Sequence, residues 1–202
     1  MADGLEVALP TPRNDSAVSV EEALWKRRSI REYADESLTI QEVSQLLWAA
    51  QGITDSRGFR TAPSAGALYP LEVYVAVGNV ENLSEGVYKY KPYGHKLVKV
   101  LDGDKRGVLA AAALGQAWVK DGAIDIVIAA VYDRTTAKYG DRGIRYVHME
   151  AGHAAQNICL QATAMGLGTV TVGAFYDEEV KSLLSLPENE QPLYILPVGR
   201  TR

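Results

Sequence analysis

The run from Ile124 to Tyr132 constrains this chain more than any other stretch. It is almost continuously apolar, and a strand of that kind has no solvent side, so structure must cover both of its faces. Leu71 to Val77 alternates and is rich in β-formers, which marks a second strand. Val87-Tyr88-Lys89-Tyr90 and Leu97-Val98-Lys99-Val100 flank a turn containing Pro92 and Gly94, the pattern of a hairpin. Gly168 to Gly173 and Leu193 to Val198 complete the expected strands. Helix starts are marked by Ser19 with Glu22 and by Thr39 with Glu42, each at the spacing of a capping box. Gly52 is the expected stop of the second helix. An alanine-rich helix is expected over Lys105 to Gly115, a long one from Arg142 to Met165 ended by Gly166, and a short one from Asp177 to Leu184. The small residues Ala151, Gly152, Ala154 and Ala155 let another helix approach closely, either from this chain or from a second copy. Strands and helices interleave irregularly, so the expected class is α+β.

At 202 residues and 47% hydrophobic content, the chain can bury one full core. Residues 1–19 mix Pro, Asp, Asn and Gly and read as a loosely ordered N-terminal arm, with a single domain over 20–202. A formal net charge of −4 argues against nucleic acid and anionic membranes as partners. The single cysteine, Cys159, cannot close an internal disulfide and reads as a small core residue. With no signal-like segment and no apolar run near ~18 residues, a soluble, cytoplasmic protein is expected.

Two stretches stand out as candidate sites. Arg60 to Pro70 is small, proline-bracketed and almost free of bulky side chains; it is either a packed turn or a loop whose backbone approaches a flat ligand. Lys26-Arg27-Arg28-Ser29-Ile30-Arg31 is either a solvated helix end or a set of hydroxyl and guanidinium donors converging on a phosphate. His148 and His153 are five apart, not the four of a zinc-binding helix, and a di-iron reading of Glu150 and His153 lacks its second unit. No metal is expected. Gly166-Leu167-Gly168 follows a helix and therefore caps it instead of cradling a nucleotide.

In order along the chain, Arg27-Arg28-Ser29-Ile30-Arg31, Pro63-Ser64-Ala65-Gly66-Ala67-Leu68-Tyr69-Pro70, Glu150-Ala151-Gly152-His153 and Pro197-Val198-Gly199-Arg200 resemble the nitroreductase superfamily. The resemblance is closer to its SagB-type dehydrogenase branch, akin to azoline oxidases. It implies a nitroreductase-like α+β fold, with a central, mostly antiparallel sheet flanked by helices, and an intertwined homodimer sharing two FMN sites. By that resemblance Arg27, Arg28, Ser29 and Arg31 hold the FMN phosphate, ribityl chain and pyrimidine edge, and Arg200 joins the phosphate site. Pro63, Ser64, Ala65, Gly66 and Leu68 would line the flavin from the partner chain. Val172, Gly173 and Ala174 would lie by its reactive edge with a backbone N–H near N5. Ala67 and Tyr69 depart from ordinary nitroreductases, which commonly carry Asn and Gln there.

Lys138-Tyr139 falls where azoline oxidases carry a proton-abstracting pair; its other reading is a surface lysine beside a packing tyrosine. The resemblance implies an FMN-dependent oxidoreductase using NAD(P)H to reduce nitro- or quinone-type acceptors. The alternatives are oxidation of an azoline-like saturated bond and a flavin-sequestering protein without turnover.

Overall fold

The computed structural model describes residues 5–202. Its elements in chain order are β1 (Glu6–Ala8), α1 (Val20–Lys26), β2 (Tyr33–Ala34), α2 (Ile40–Gln51), β3 (Leu71–Val77), β4 (Gly86–Lys91) and β5 (Lys96–Asp102). They continue with α3 (Arg106–Ala112), α4 (Ala117–Asp121), β6 (Ile124–Ala130), α5 (Asp133–Tyr139), α6 (Arg142–Ala164), β7 (Leu167–Thr169), α7 (Asp177–Leu183) and β8 (Gln191–Thr201). The strands form one sheet in the order β1-β5-β4-β3-β6-β8-β2, with β7 also paired to β8. All of these strand pairings are antiparallel.

β6 lies between β3 and β8, and every one of its residues is buried. Its alternation sorts side chains to two cores. Ile124, Ile126 and Ile128 face a cluster with Leu46 and Leu47 of α2 and Val147, Ala154 and Ile158 of α6. Val127 and Ala129 face Leu109 of α3, Val119 of α4 and Val180 of α7. The apolar run is thus covered on both faces, as its composition requires. Asp125 interrupts it: fully buried, with neither carboxylate oxygen bonded among the described residues. Burial raises its pKa well above the usual carboxylate range.

Thr39 and Glu42 form the reciprocal capping box at the start of α2. Gly52 ends that helix for a reason other than left-handed backbone, since its φ is −64°. A Cβ there would lie 2.1 Å from Cδ1 of Trp48, so close approach selects the glycine. Gly166, with φ +71°, is the left-handed residue following α6.

The structure differs from expectation at the N-terminus. Glu6–Ala8 pairs with β5, and Leu9 is buried. Beyond it, Arg13 N–H donates to Gln45 Oε1 at 2.8 Å, so part of the arm is ordered. Residues 1–4 of that arm lie outside the described residues. The strand expected over Gly168 to Gly173 is shorter, and β8 is longer than Leu193 to Val198 because it carries β2 and β7 at its end. Among the described residues no helix is long and apolar enough to cross a membrane.

Candidate active site

The proline-bracketed stretch forms a tight loop between α2 and β3. Ala67 N–H donates to Ser64 O at 3.0 Å and Tyr69 N–H to Ser64 Oγ at 2.9 Å. Gly66, Ala67 and Tyr69 all adopt positive φ, at +64°, +54° and +48°. Left-handed backbone at Ala67 and Tyr69 is unfavourable and needs outside support. Tyr69 receives it from two arginines. Arg60 lies over its ring at 4.5 Å, and Arg134 Nη1 donates to its carbonyl at 3.0 Å.

The end of α5 closes over this loop. A Cβ on Gly66 would be 2.8 Å from the Tyr139 hydroxyl and 3.0 Å from Lys138 Nζ. Lys138 is exposed, its ammonium 5.4 Å from the centre of the half-buried Tyr139 ring. Tyr139 is held edge-on against Tyr146 of α6, centroid to centroid 5.2 Å. The two sequence candidates, 72 positions apart from Gly66 to Lys138 (138 minus 66), therefore meet within one chain.

Beside them is a cleft of about 240 Å³ walled by Pro63, Ser64, Ala65, Tyr146, Met149 and His153, with Glu150 at its base. Glu150 is buried, and its Oε1 has no partner among the described residues. Burial pushes its pKa up to about 7, opposed by the Ser64 hydroxyl and the charge of Arg60. Sequence reasoning placed Glu150 in the long helix without a role here. Only its juxtaposition with Ser64 reveals one.

The basic residues separate in the structure. Arg27 is half-buried at the end of α1, and Ser29 is exposed; neither side chain has a hydrogen-bond or ion-pair partner among the described residues. The other three have partners within the chain. Arg28 Nη1 turns back onto the carbonyls of Trp25 and Arg27, at 3.0 and 2.7 Å, capping α1. Arg31 lies over the Trp118 ring at 5.4 Å. Arg200 is paired with Glu42 through two parallel bonds of 2.6 and 2.9 Å, which join the end of β8 to the start of α2.

Val172 is tied to Ile195 by reciprocal backbone bonds of 2.8 and 2.9 Å. This holds the exposed Gly173 in place, with its N–H unpaired among the described residues. Ala174 O accepts from Gln116 Nε2 at 2.9 Å. His148 Nε2 meets the Tyr132 hydroxyl at 2.6 Å, while His153 is exposed on the cleft wall.

This combination of antiparallel α+β sheet, flanking helices and small-residue loop is a nitroreductase-like fold. Residues 24–200 match the profile described as the nitroreductase family, and the chain belongs to that family. A protein of Methanocaldococcus jannaschii, provisionally named a nitroreductase, is 52% identical over 200 residues, covering 99% of this chain and 98% of the relative. A crystal structure from Ralstonia eutropha, likewise provisionally named, superposes with a TM-score of 0.87 at 30% identity, over 100% of this chain and 92% of that one. A chain of the Escherichia coli microcin synthetase McbBCD complex with truncated pro-MccB17 bound gives 0.75 at 25% identity, over 96% and 77%.

Proposed function

We propose that the protein is an FMN-dependent oxidoreductase that works as a homodimer, taking electrons from NAD(P)H for nitro- or quinone-type acceptors. The observation that carries this reading is the small-residue loop after Pro63, left-handed at Gly66, Ala67 and Tyr69, which leaves backbone bare of Cβ bulk beside a cleft. The donor set also fits FMN. Arg27 and Ser29 have no side-chain partner among the described residues and are donors suited to a phosphate, and the Cβ-poor loop lets backbone lie against a ring system.

A dimer is favoured by the spacing of these parts along α6. The loop packs near Glu150 and α1 packs near Asn157 to Ala164. From Glu150 to Cys159, whose thiol feels the charge of Arg27, is about 13 Å of helix rise. A two-fold copy with its α6 antiparallel brings the loop of one chain to the basic residues of the other. Val20, Leu24 and Trp25, with Trp25 81% exposed, supply the apolar surface such a contact covers.

When bound, FMN supplies hydride transfer at N5. Arg27 and Ser29 would bind its phosphate, the Ser64 to Leu68 backbone would support the ring, and Gly173 N–H would donate to a ring nitrogen. Lys138 and Tyr139 would hold or remove the substrate proton, steadied by Tyr146. The last role favours a second reading, in which an azoline-like ring would be oxidised: bound FMN would supply the hydride acceptor, and Lys138 and Tyr139 would position and handle the ring proton.

The experiment is direct. The purified protein is expected to be yellow and to release FMN on denaturation, and NADH or NADPH is expected to bleach the flavin band rapidly. A bound flavin that neither nicotinamide reduces would point instead to sequestration. Lys138→Ala is expected to spare NAD(P)H oxidation and abolish azoline oxidation; azoline turnover that survives it removes the second reading.

A further inference from the structure

A second cleft, of about 210 Å³, adjoins the same loop and is lined by Gln51, Arg60, Glu72, Lys91, Tyr93 and Arg134 among others. Its polar groups do not balance. Arg60 donates through Nη1 to Gln51 Oε1 at 2.8 Å, but its buried Nε has no partner among the described residues. Gln51 is only 1% exposed; its oxygen is taken by Arg60, and its buried Nε2 has no acceptor among the described residues. Neither Arg60 nor Lys91 has a carboxylate within 4.0 Å among the described residues. The one carboxylate in the wall, Glu72, is already shared between Lys89 and Arg134.

A half-buried guanidinium without a counter-charge is unfavourable, and burial lowers the pKa of Arg60 accordingly. An ordered water could accept from the orphaned N–H groups, yet it would leave the charge uncompensated. A planar anion with two oxygens answers both deficits, because it can take the guanidinium and the amide together. The geometry points to this cleft as a binding site for a small carboxylate, gripped by Arg60 and Gln51 with Lys91 and Arg134 at its rim. Since Arg60 also covers Tyr69, the occupant sits against the support of the strained loop. The inference does not depend on the flavin reading, and its test needs no turnover.

The test follows the thermal unfolding midpoint of the full-length purified protein against sodium acetate, with sodium chloride at matched ionic strength as reference. A saturable rise in acetate beyond that in chloride is expected. Arg60→Gln is expected to abolish the acetate-specific rise. Lys91→Ala, a change on half-exposed β4, is expected to weaken apparent acetate affinity ~3-fold. Should Arg60→Gln fail to fold, Lys91→Ala decides alone. Equal responses to acetate and chloride, or an acetate response unchanged in Lys91→Ala, would overturn the site. A saturable rise with inorganic phosphate and none with acetate would overturn the carboxylate assignment.

Discussion

Gly66 turns the place of its absent side chain toward Lys138, with only 3.0 Å between an ideal Cβ and Nζ. Two costs therefore meet in Gly66→Ala. The backbone term, from φ +64°, is about 1 kcal/mol. The steric term is cheap to relieve, because Lys138 Nζ and the Tyr139 hydroxyl are the ends of movable side chains, but relief shifts that pair off the loop. The variant is expected to fold with its unfolding free energy lowered by roughly that 1 kcal/mol, read as a lower urea midpoint, and to retain FMN poorly. Circular dichroism and flavin fluorescence titration check the two parts separately.

Arg27 and Arg200 are expected to separate in the same assays. Arg27→Gln removes a cation with no partner among the described residues, so FMN affinity should fall about tenfold or more while stability stays within about 0.5 kcal/mol. Arg200→Gln strips Glu42 of its ion-pair partner beside the α2 capping box. It should cost about 1 kcal/mol of stability and leave FMN affinity unchanged. A tenfold affinity loss in Arg200→Gln would return that residue to the phosphate site.

Features that the sequence made legible are local. Thr39 with Glu42, the Pro92–Gly94 turn and Gly166 each act within a few residues, and β6 declares its double burial by composition alone. What stayed hidden depends on distant partners. Glu6–Ala8 has little strand character and exists because β5 offers an open edge. The short helices α4 and α5 carry too few turns for apolar periodicity to show. Arg200 looked like a free cation until its partner, 158 positions away, was placed. In the sequence Glu150 reads only as half of a metal unit, and its place in the cleft shows only where Ser64 and Pro63 close over it.

Glu150 imposes a pH dependence of definite sign. Its folded-state pKa, pushed up to about 7, lies above the unfolded value of 4.5. The folded state therefore holds the extra proton between those values, and its stabilising contribution is complete below 4.5 and lost as pH rises through about 7. Glu150→Gln keeps the shape and removes the titration. Relative to wild type, the variant should gain stability from pH 5 to pH 8, read from urea midpoints at each pH. A constant difference across that range would show that Glu150 ionises freely.

His95 should act with the opposite sign, and it fastens the N-terminal segment. Its Nε2 lies 2.7 Å from Ser44 Oγ and 3.1 Å from Pro10 O, while Nδ1 lies 2.8 Å from the Tyr90 hydroxyl. Leu9 N–H donates to the His95 carbonyl at 3.1 Å, so one residue joins the arm, α2 and the β4–β5 turn. Burial lowers its pKa below the ordinary 6.5, outweighing the Pro10 carbonyl. Its contribution is thus present above 6.5 and lost as pH falls toward the folded value. His95→Ala leaves the Tyr90 hydroxyl without its partner, while the Ser44 hydroxyl keeps the Pro10 carbonyl, and should cost about 1–3 kcal/mol at pH 8, less at pH 5. Cleavage by a broad-specificity protease within 5–19 should accelerate in the variant at pH 8 and in wild type as pH drops below 6.5. Wild-type cleavage that ignores pH would mean that the imidazole does not hold the arm.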